Sequence, residues 1–199
     1  NQDSYYDFLS AFCKSLRGSD ANAALYYAMR LIEGGCDPLL VARRLVVHSA
    51  EDVGMADPRA LQIATSAMYA LEKIGYPEAM IPLAEAIIYV CEAEKSNSVV
   101  EAMYAAKADA INARTDTIPA YLKDNSFGSK EDKAQSNNYK YPHNYGGYVE
   151  QQYLPDELKD KIYYTPKQNG YEKSHHISPL FAIVGSDRIG TTKRCATRL

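Results

Sequence analysis

No apolar run in this 199-residue chain approaches the roughly 20 residues that a membrane-spanning helix needs, so no such helix and no membrane partner is expected. Cysteines are few: Cys13, Cys36, Cys91 and Cys195 are scattered without a CxxC spacing. Neither a zinc site nor a disulfide framework is signalled, and reduced thiols in a cytosolic protein are the expectation. A strong charge of one sign is also missing. The formal net charge is −3, and the last 25 residues hold four Arg and Lys against one Asp, so residues 1–174 are more acidic than the whole. That balance argues against a strong free-standing nucleic-acid binder. Asn1 opens no signal peptide, and a first residue other than Met is expected of a fragment.

What is present is a chain that is 46% hydrophobic, enough for one ordinary domain with a real core. Between Ser4 and Arg114 it reads as six amphipathic helices, each opened by Ser, Asp or Pro and closed by Gly or a polar break. In "SYYDFLSAFCKSLRG" the residues Tyr5, Phe8, Leu9, Phe12 and Leu16 share a face, and Gly18 ends the helix. "SDANAALYYAMRLIEGG" begins after a Ser-Asp cap. "DPLLVARRLVVHSAEDVG" has Asp37 at the cap and Pro38 at the first helical position, with Gly54 closing. "DPRALQIATSAMYALEKIG" repeats that formula. "YPEAMIPLAEAIIYVCEAEK" is the most hydrophobic, with Pro82 one turn in and able to bend it, and "SNSVVEAMYAAKADAINAR" completes the set. Links this short predict an all-α fold of stacked antiparallel helical hairpins.

Beyond Arg114 the composition changes. Residues 115–138 are poor in apolar side chains and read as an exposed loop. Eight of the seventeen tyrosines then fall between Tyr139 and Tyr171. Residues 139–173 therefore read as an ordered packing arm, carried by Tyr139, Tyr141, Tyr145, Tyr148 and Tyr153, because tyrosine gives large contact area at low entropy cost. "LPDELK" predicts one short helix.

The polar cluster in the third helix is the first candidate site. At 100° per residue Arg44, His48 and Glu51 fall within about 60° of one another, and Asp52 lies beside His48 at i+4. A metal site would have only His48 and the carboxylates, without a second histidine in the helical block. A Ser49-His48-Asp52 triad fails because Ser49 points about 100° away from His48. The expected arrangement is an ion-paired polar stripe, Arg44 with His48, Glu51 and Asp52, lying under a neighbouring helix or subunit. Leu39, Ala42, Val46, Ala50 and Val53 form the opposite, core-facing flank. Carboxylates in a last turn oppose the helix dipole, so Glu51 and Asp52 require cationic or N–H partners elsewhere.

Other candidates are weaker. "FAIVGSDRIGTTKR" spaces Gly185 and Gly190 like a phosphate loop, but Thr191 and Thr192 stand where the lysine is needed. Arg43, Arg44, Lys107 and Arg114 are candidate phosphate contacts, of which Arg43, Lys107 and Arg114 are the possible DNA contacts. His175 and His176 have no identifiable metal-binding partners. Neither catalytic residues nor a cofactor-binding or metal site is expected in this chain.

Four strings together carry a resemblance: "LSAFCKSLRGSDANAALYY", "RRLVVHSAEDVGMADPRAL", "EKSNSVVEAMYAA" and "YPHNYGGYVEQQYLPDEL". In order and spacing they resemble the replication-associated recombination ATPases, RarA or MgsA, relatives of the eukaryotic Werner-helicase-interacting ATPase. The resemblance covers residues 4 to about 173. It implies the C-terminal part of an AAA+ protein related to clamp loaders, with residues 1–114 as a helical collar and oligomerisation domain. The ATP- and magnesium-binding motifs of the parent lie outside these residues. It further implies self-association as a homotetramer, partners that include DNA and single-strand-binding protein, and a cytoplasmic, nucleoid-associated location. A DNA-binding module for fork or junction DNA is the alternative. Residues 174–199 match nothing in that family and are set apart as a tail.

Overall fold

Six helices follow one another in the computed structural model, which describes residues 2–113, 117–124 and 138–177. They are α1 (Gln2–Arg17), α2 (Ala21–Glu33), α3 (Pro38–His48), α4 (Arg59–Lys73), α5 (Met80–Glu92) and α6 (Ser98–Asn112). Among the described residues there is no strand, so the fold is all-α. No helix of the described residues is long and apolar enough to cross a membrane.

Local chemistry sets the boundaries. Asp20 caps α2 by accepting from the Ala23 N–H at 2.9 Å, and Asp37 accepts from the Leu39 N–H at 2.9 Å, ahead of Pro38. The α2 C-terminus closes on Gly35, at φ +95°, with Cys36 N–H donating to Leu31 O at 3.0 Å. Asp57 accepts from the Arg59 N–H at 3.1 Å and opens α4. The predicted bend at Pro82 is not required: α5 begins at Met80, so Pro82 lies in the first turn, where its missing N–H has no helical partner to lose. The "LPDELK" helix is a single 3-10 turn, Asp156–Leu158.

Helical spacing then builds the core. α2 buries Ala24, Ala28, Leu31 and Ile32, and α4 buries Ala60, Ala64, Ala67 and Leu71. Their small residues admit the bulkier Phe12 and Leu16 of α1, Leu45 of α3, and Leu83 and Ile87 of α5, all fully buried. Each of those five contributes about 1.5–3 kcal/mol by leaving water. α1 packs on α2, α3 on α4, α4 on α5, and α2 on α5. Cys13, Cys36 and Cys91 are free thiols, whereas Cys195 lies outside the described residues.

The chain divides into two units, one comprising Asn1–Ala105 with Tyr164–His175, the other Ala106–Tyr163 with His176–Leu199. The end of the tyrosine-rich segment is therefore part of the helical unit. There the Gly170–Lys173 turn packs on the Gly54–Ala56 turn. Gly170 is needed twice, for its φ of +52° and because a Cβ would collide with Ala56 O. In the second unit, Tyr163 donates to Asp109 at 2.8 Å and Tyr121 donates to Gln152 O at 2.5 Å. The Gln151 side chain bonds both the Lys140 N–H and its carbonyl.

Candidate functional site

The α-helical ladder of α3 stops at His48, and Ser49–Val53 form one π-helical turn, with Gly54 N–H donating back to Ser49 O. A π turn holds an extra residue, so the 100° projection used for the sequence ceases to apply after His48. Within α3 itself the buried face is also offset from the expected one. His48, Ser49 and Asp52 are buried together with Val41, Ala42, Leu45 and Val53, while Leu39, Val46 and Ala50, expected in the core, are only half-buried.

At this turn His48 Nδ1 lies 2.8 Å from Asp52 Oδ2. The other carboxylate oxygen accepts from Arg17 Nε, also at 2.8 Å. Arg17 comes from the end of α1, so the cation that closes the cluster is not Arg44. Arg44 is exposed on α3, and no ion pair joins it to His48, Glu51 or Asp52 among the described residues. Glu51 is half-exposed and only loosely held, 3.7 Å from Arg17 and 3.8 Å from His48. Ser49 Oγ donates to Val46 O and faces away from the imidazole.

Arg17, Glu51 and Asp52 line one wall of a cleft of about 520 Å³, whose other residues include Lys95, Ser96, Asn97, Lys167 and Asn169. Three of the four strings that carry the family resemblance thus meet here, from the end of α1, the π turn and the α5–α6 link. Lys95 donates to the carbonyls of Val90, Cys91 and Ala93 at 3.0, 2.8 and 2.5 Å, capping the C-terminus of α5. Asn169 donates to Lys95 O at 2.8 Å, and Lys167 pairs with Glu101 at 2.7 Å. Asp52 O accepts from the Ser96 N–H at 2.8 Å. Beneath the cleft the Glu172 side chain is fully buried. It accepts from Ser96 at 2.5 Å, from Tyr164 at 2.9 Å and from Ser98. These polar groups are spent largely on one another, which makes the arrangement a clamp joining α1, the π turn, the α5–α6 link and the returning segment.

The sequence singled out His48, Glu51 and Asp52 but missed Arg17, Lys95, Ser96, Ser98, Tyr164 and Glu172. The strings "KSLRGSD" and "EKSNS" were the available signal for four of the six. Of the other candidates, Arg43 and Lys107 are exposed and Arg114 lies outside the described residues. Tyr139, Tyr141, Tyr145 and Tyr153 are exposed and Tyr148 half-buried, so the described face of the arm is largely open. The glycine pair at 185 and 190 lies outside the described residues, as does most of the 115–138 loop.

Electrostatics follow from the geometry. The hydrogen bond to Asp52, aided by one to Cys13 and opposed by burial, raises the His48 pKa from 6.5 to about 9. Burial pushes Asp52 upward, but the bonds from His48 and Arg17 outweigh it and hold the carboxyl below its ordinary value. Burial pulls Lys95 down, and burial with the bond to Glu172 pushes Tyr164 up to about 12. A raised histidine stabilises the fold fully below its unfolded pKa and loses that contribution as pH rises through the folded value. Urea midpoints are therefore expected to fall between pH 6.5 and 9.5, by an equivalent of about 3 kcal/mol. The same titration on His48→Gln should lack this slope; an identical slope in both would refute the assignment. The depressed Asp52 works the other way, its contribution fading as pH falls below the usual carboxylate range.

Comparison with known proteins completes the picture. Residues 18–178 match the family described as MgsA AAA+ ATPase C terminal. Replication-associated recombination protein A of Bacillus subtilis is 51% identical over 169 residues, covering 84% of this chain and 40% of that protein. The Escherichia coli K12 protein of the same name is 38% identical over 172 residues, 85% of this chain and 38% of the relative. ATPase WRNIP1 of Dictyostelium discoideum is 34% identical over 168 residues, 83% of this chain and 19% of the relative. The chain thus spans 40% or less of these three relatives. It belongs to the MgsA AAA+ ATPase C-terminal family.

Proposed function

We propose that this chain is the oligomerisation and collar module of a DNA-dependent AAA+ ATPase acting in replication-fork maintenance and recombination. In this reading the parent protein binds ATP and Mg through residues outside the chain, and assembles as a homotetramer through it. DNA and single-strand-binding protein are reached through the parent, which works at the nucleoid. The names of the relatives support the setting.

One observation carries the self-association. The sequence of α6, SVVEAMYAAKADAIN, is mostly apolar or alanine, yet Ser98 alone among its residues is buried. Val99, Met103, Tyr104 and Ile111 are 39, 52, 61 and 72% exposed. A helix of this composition is stable against water when another surface covers it. Sedimentation velocity across a concentration series is expected to show a species heavier than the 22.1 kDa monomer. A monomer at every concentration would overturn the reading.

The alternative, a DNA-binding module, draws on exposed Arg43 and on the exposed tyrosines of the arm, which could stack on bases. It predicts fork-DNA binding by this chain alone, with steep salt dependence. Undetectable binding at low salt would end it.

A further inference from the structure

The self-association proposed above needs a surface, and the inference drawn here rests on that reading. Val47 and Ala50, at the end of α3 and in the π turn, and Val99, Val100, Met103 and Tyr104 of α6 line an apolar groove of about 240 Å³. Glu51 is the one charged residue in that lining. Its carboxylate has only the long contacts to Arg17 and His48, and it accepts no hydrogen bond at normal length among the described residues. On α6, residues 99, 100, 103, 104, 107 and 111 share one helical face, and the single charge on that face is Lys107. Lys107 is exposed and forms no ion pair among the described residues.

We propose that the occupant of this groove is a second copy of the chain, whose α6 packs antiparallel against the first about Met103, with Lys107 of each copy reaching Glu51 of the other. A two-fold axis at Met103 sets position 107 of one helix opposite position 99 of the other, because each lies four residues from the axis. Val99 and Glu51 line the same groove, so the ammonium arrives beside the one acid of the lining. Met103 and Tyr104 of each copy enter the groove of the other. The interface is self-complementary in charge: each copy contributes one acid and one base, and both pairs form at once. Antiparallel packing also opposes the two α6 dipoles.

The test uses the full chain in analytical ultracentrifugation, with circular dichroism to verify folding. Met103→Glu, at an exposed position, is expected to leave the helical signal and melting unchanged while weakening association at least tenfold. Lys107→Glu should weaken it severalfold, and Glu51→Lys with Lys107→Glu should restore it, since the pair is inverted rather than lost. Assembly of the wild type with Met103→Glu and Lys107→Glu associating equally well would overturn this interface and leave self-association standing on another surface. A wild type that stays monomeric would overturn both.

Discussion

Glu172→Ala is expected to cost about 3–5 kcal/mol of stability, the largest effect of any single substitution considered for this chain. The Glu172 side chain is fully buried and is the common acceptor for three hydroxyls, those of Ser96, Ser98 and Tyr164. Truncation deprives the buried Ser96 and Ser98 hydroxyls of this acceptor, and an unsatisfied buried group costs about 1–3 kcal/mol. It also empties the volume that the side chain filled, with the further loss that accompanies a cavity. Glu172→Gln keeps the volume and one acceptor oxygen, so its cost should be smaller, about 1–2 kcal/mol. The damage should be local before it is global. Glu172 is the buried anchor of the Tyr164–His175 segment on the helical unit, so limited proteolysis of the alanine variant should cut that segment under conditions where α1–α5 still resist. Gly170→Ala should produce the same pattern by another route, because its Cβ would be driven into Ala56 O. Equal urea midpoints for wild type and Glu172→Ala would show that the carboxyl is not the anchor.

The helical part of this architecture was readable from the chain because its signals are local. Asp20 and Asp37 sit where caps are expected and form the cap bonds, and the alanine spacing of α2 and α4 points inward as the period predicts. The clamp was less readable, for two physical reasons. First, the projection assumed an unbroken α-helix with a core face on Leu39, Val46 and Ala50, whereas α3 buries Val41, Ala42, Leu45 and His48 and runs into a π turn at Ser49–Val53 in which Asp52 is buried and Glu51 is half-exposed. No local propensity in "SAEDV" announces such a turn; what sets it is the tertiary environment, including the Ser96 N–H that bonds Asp52 O. Second, the partners are remote in sequence. Arg17 lies 35 residues before Asp52, and Glu172 lies 76 and 74 residues after Ser96 and Ser98. Pattern reasoning predicted that Asp52 needs a cation from elsewhere, since a carboxylate at a helix C-terminus is unfavourable by itself. It had no means of naming Arg17. The tyrosine-rich segment divides along the same line. Its described exposed tyrosines are visible as composition, but the residues that fasten it, Gly170 and Glu172, are ordinary in sequence and become special only through what they meet.

Asp52→Ala should be the second largest loss, about 2–4 kcal/mol, and should separate Asp52 from its neighbour Glu51. Both carboxylates belong to one short sequence motif, yet the structure gives them different work. Asp52 is 6% exposed, with both oxygens engaged at 2.8 Å, whereas Glu51 is half-exposed with no ion pair shorter than 3.7 Å among the described residues. Removing Asp52 strands a buried imidazole whose raised pKa depends first on that carboxylate, so His48 must release its proton or remain charged with only Cys13 and the long contact to Glu51. Arg17 is half-exposed and can turn to water, so Arg17→Ala should cost only about 1 kcal/mol. Glu51→Ala should change folding stability by no more than about 0.5 kcal/mol, in line with other loosely held surface pairs. The order Asp52 before Arg17 before Glu51 is thus the expected outcome of urea denaturation at about pH 5.5, below the ordinary histidine pKa, where the charged cluster contributes in full. A second signature distinguishes lost charge pairing from lost packing. In Asp52→Ala the His48 imidazole should titrate back toward 6.5 or below, observable by proton NMR, and the stability loss between pH 6.5 and 9.5 should vanish with it. If Asp52→Ala retained that alkaline slope, the raised histidine would have to be supported by another group, and the clamp at the π turn would not be the source of the pH dependence.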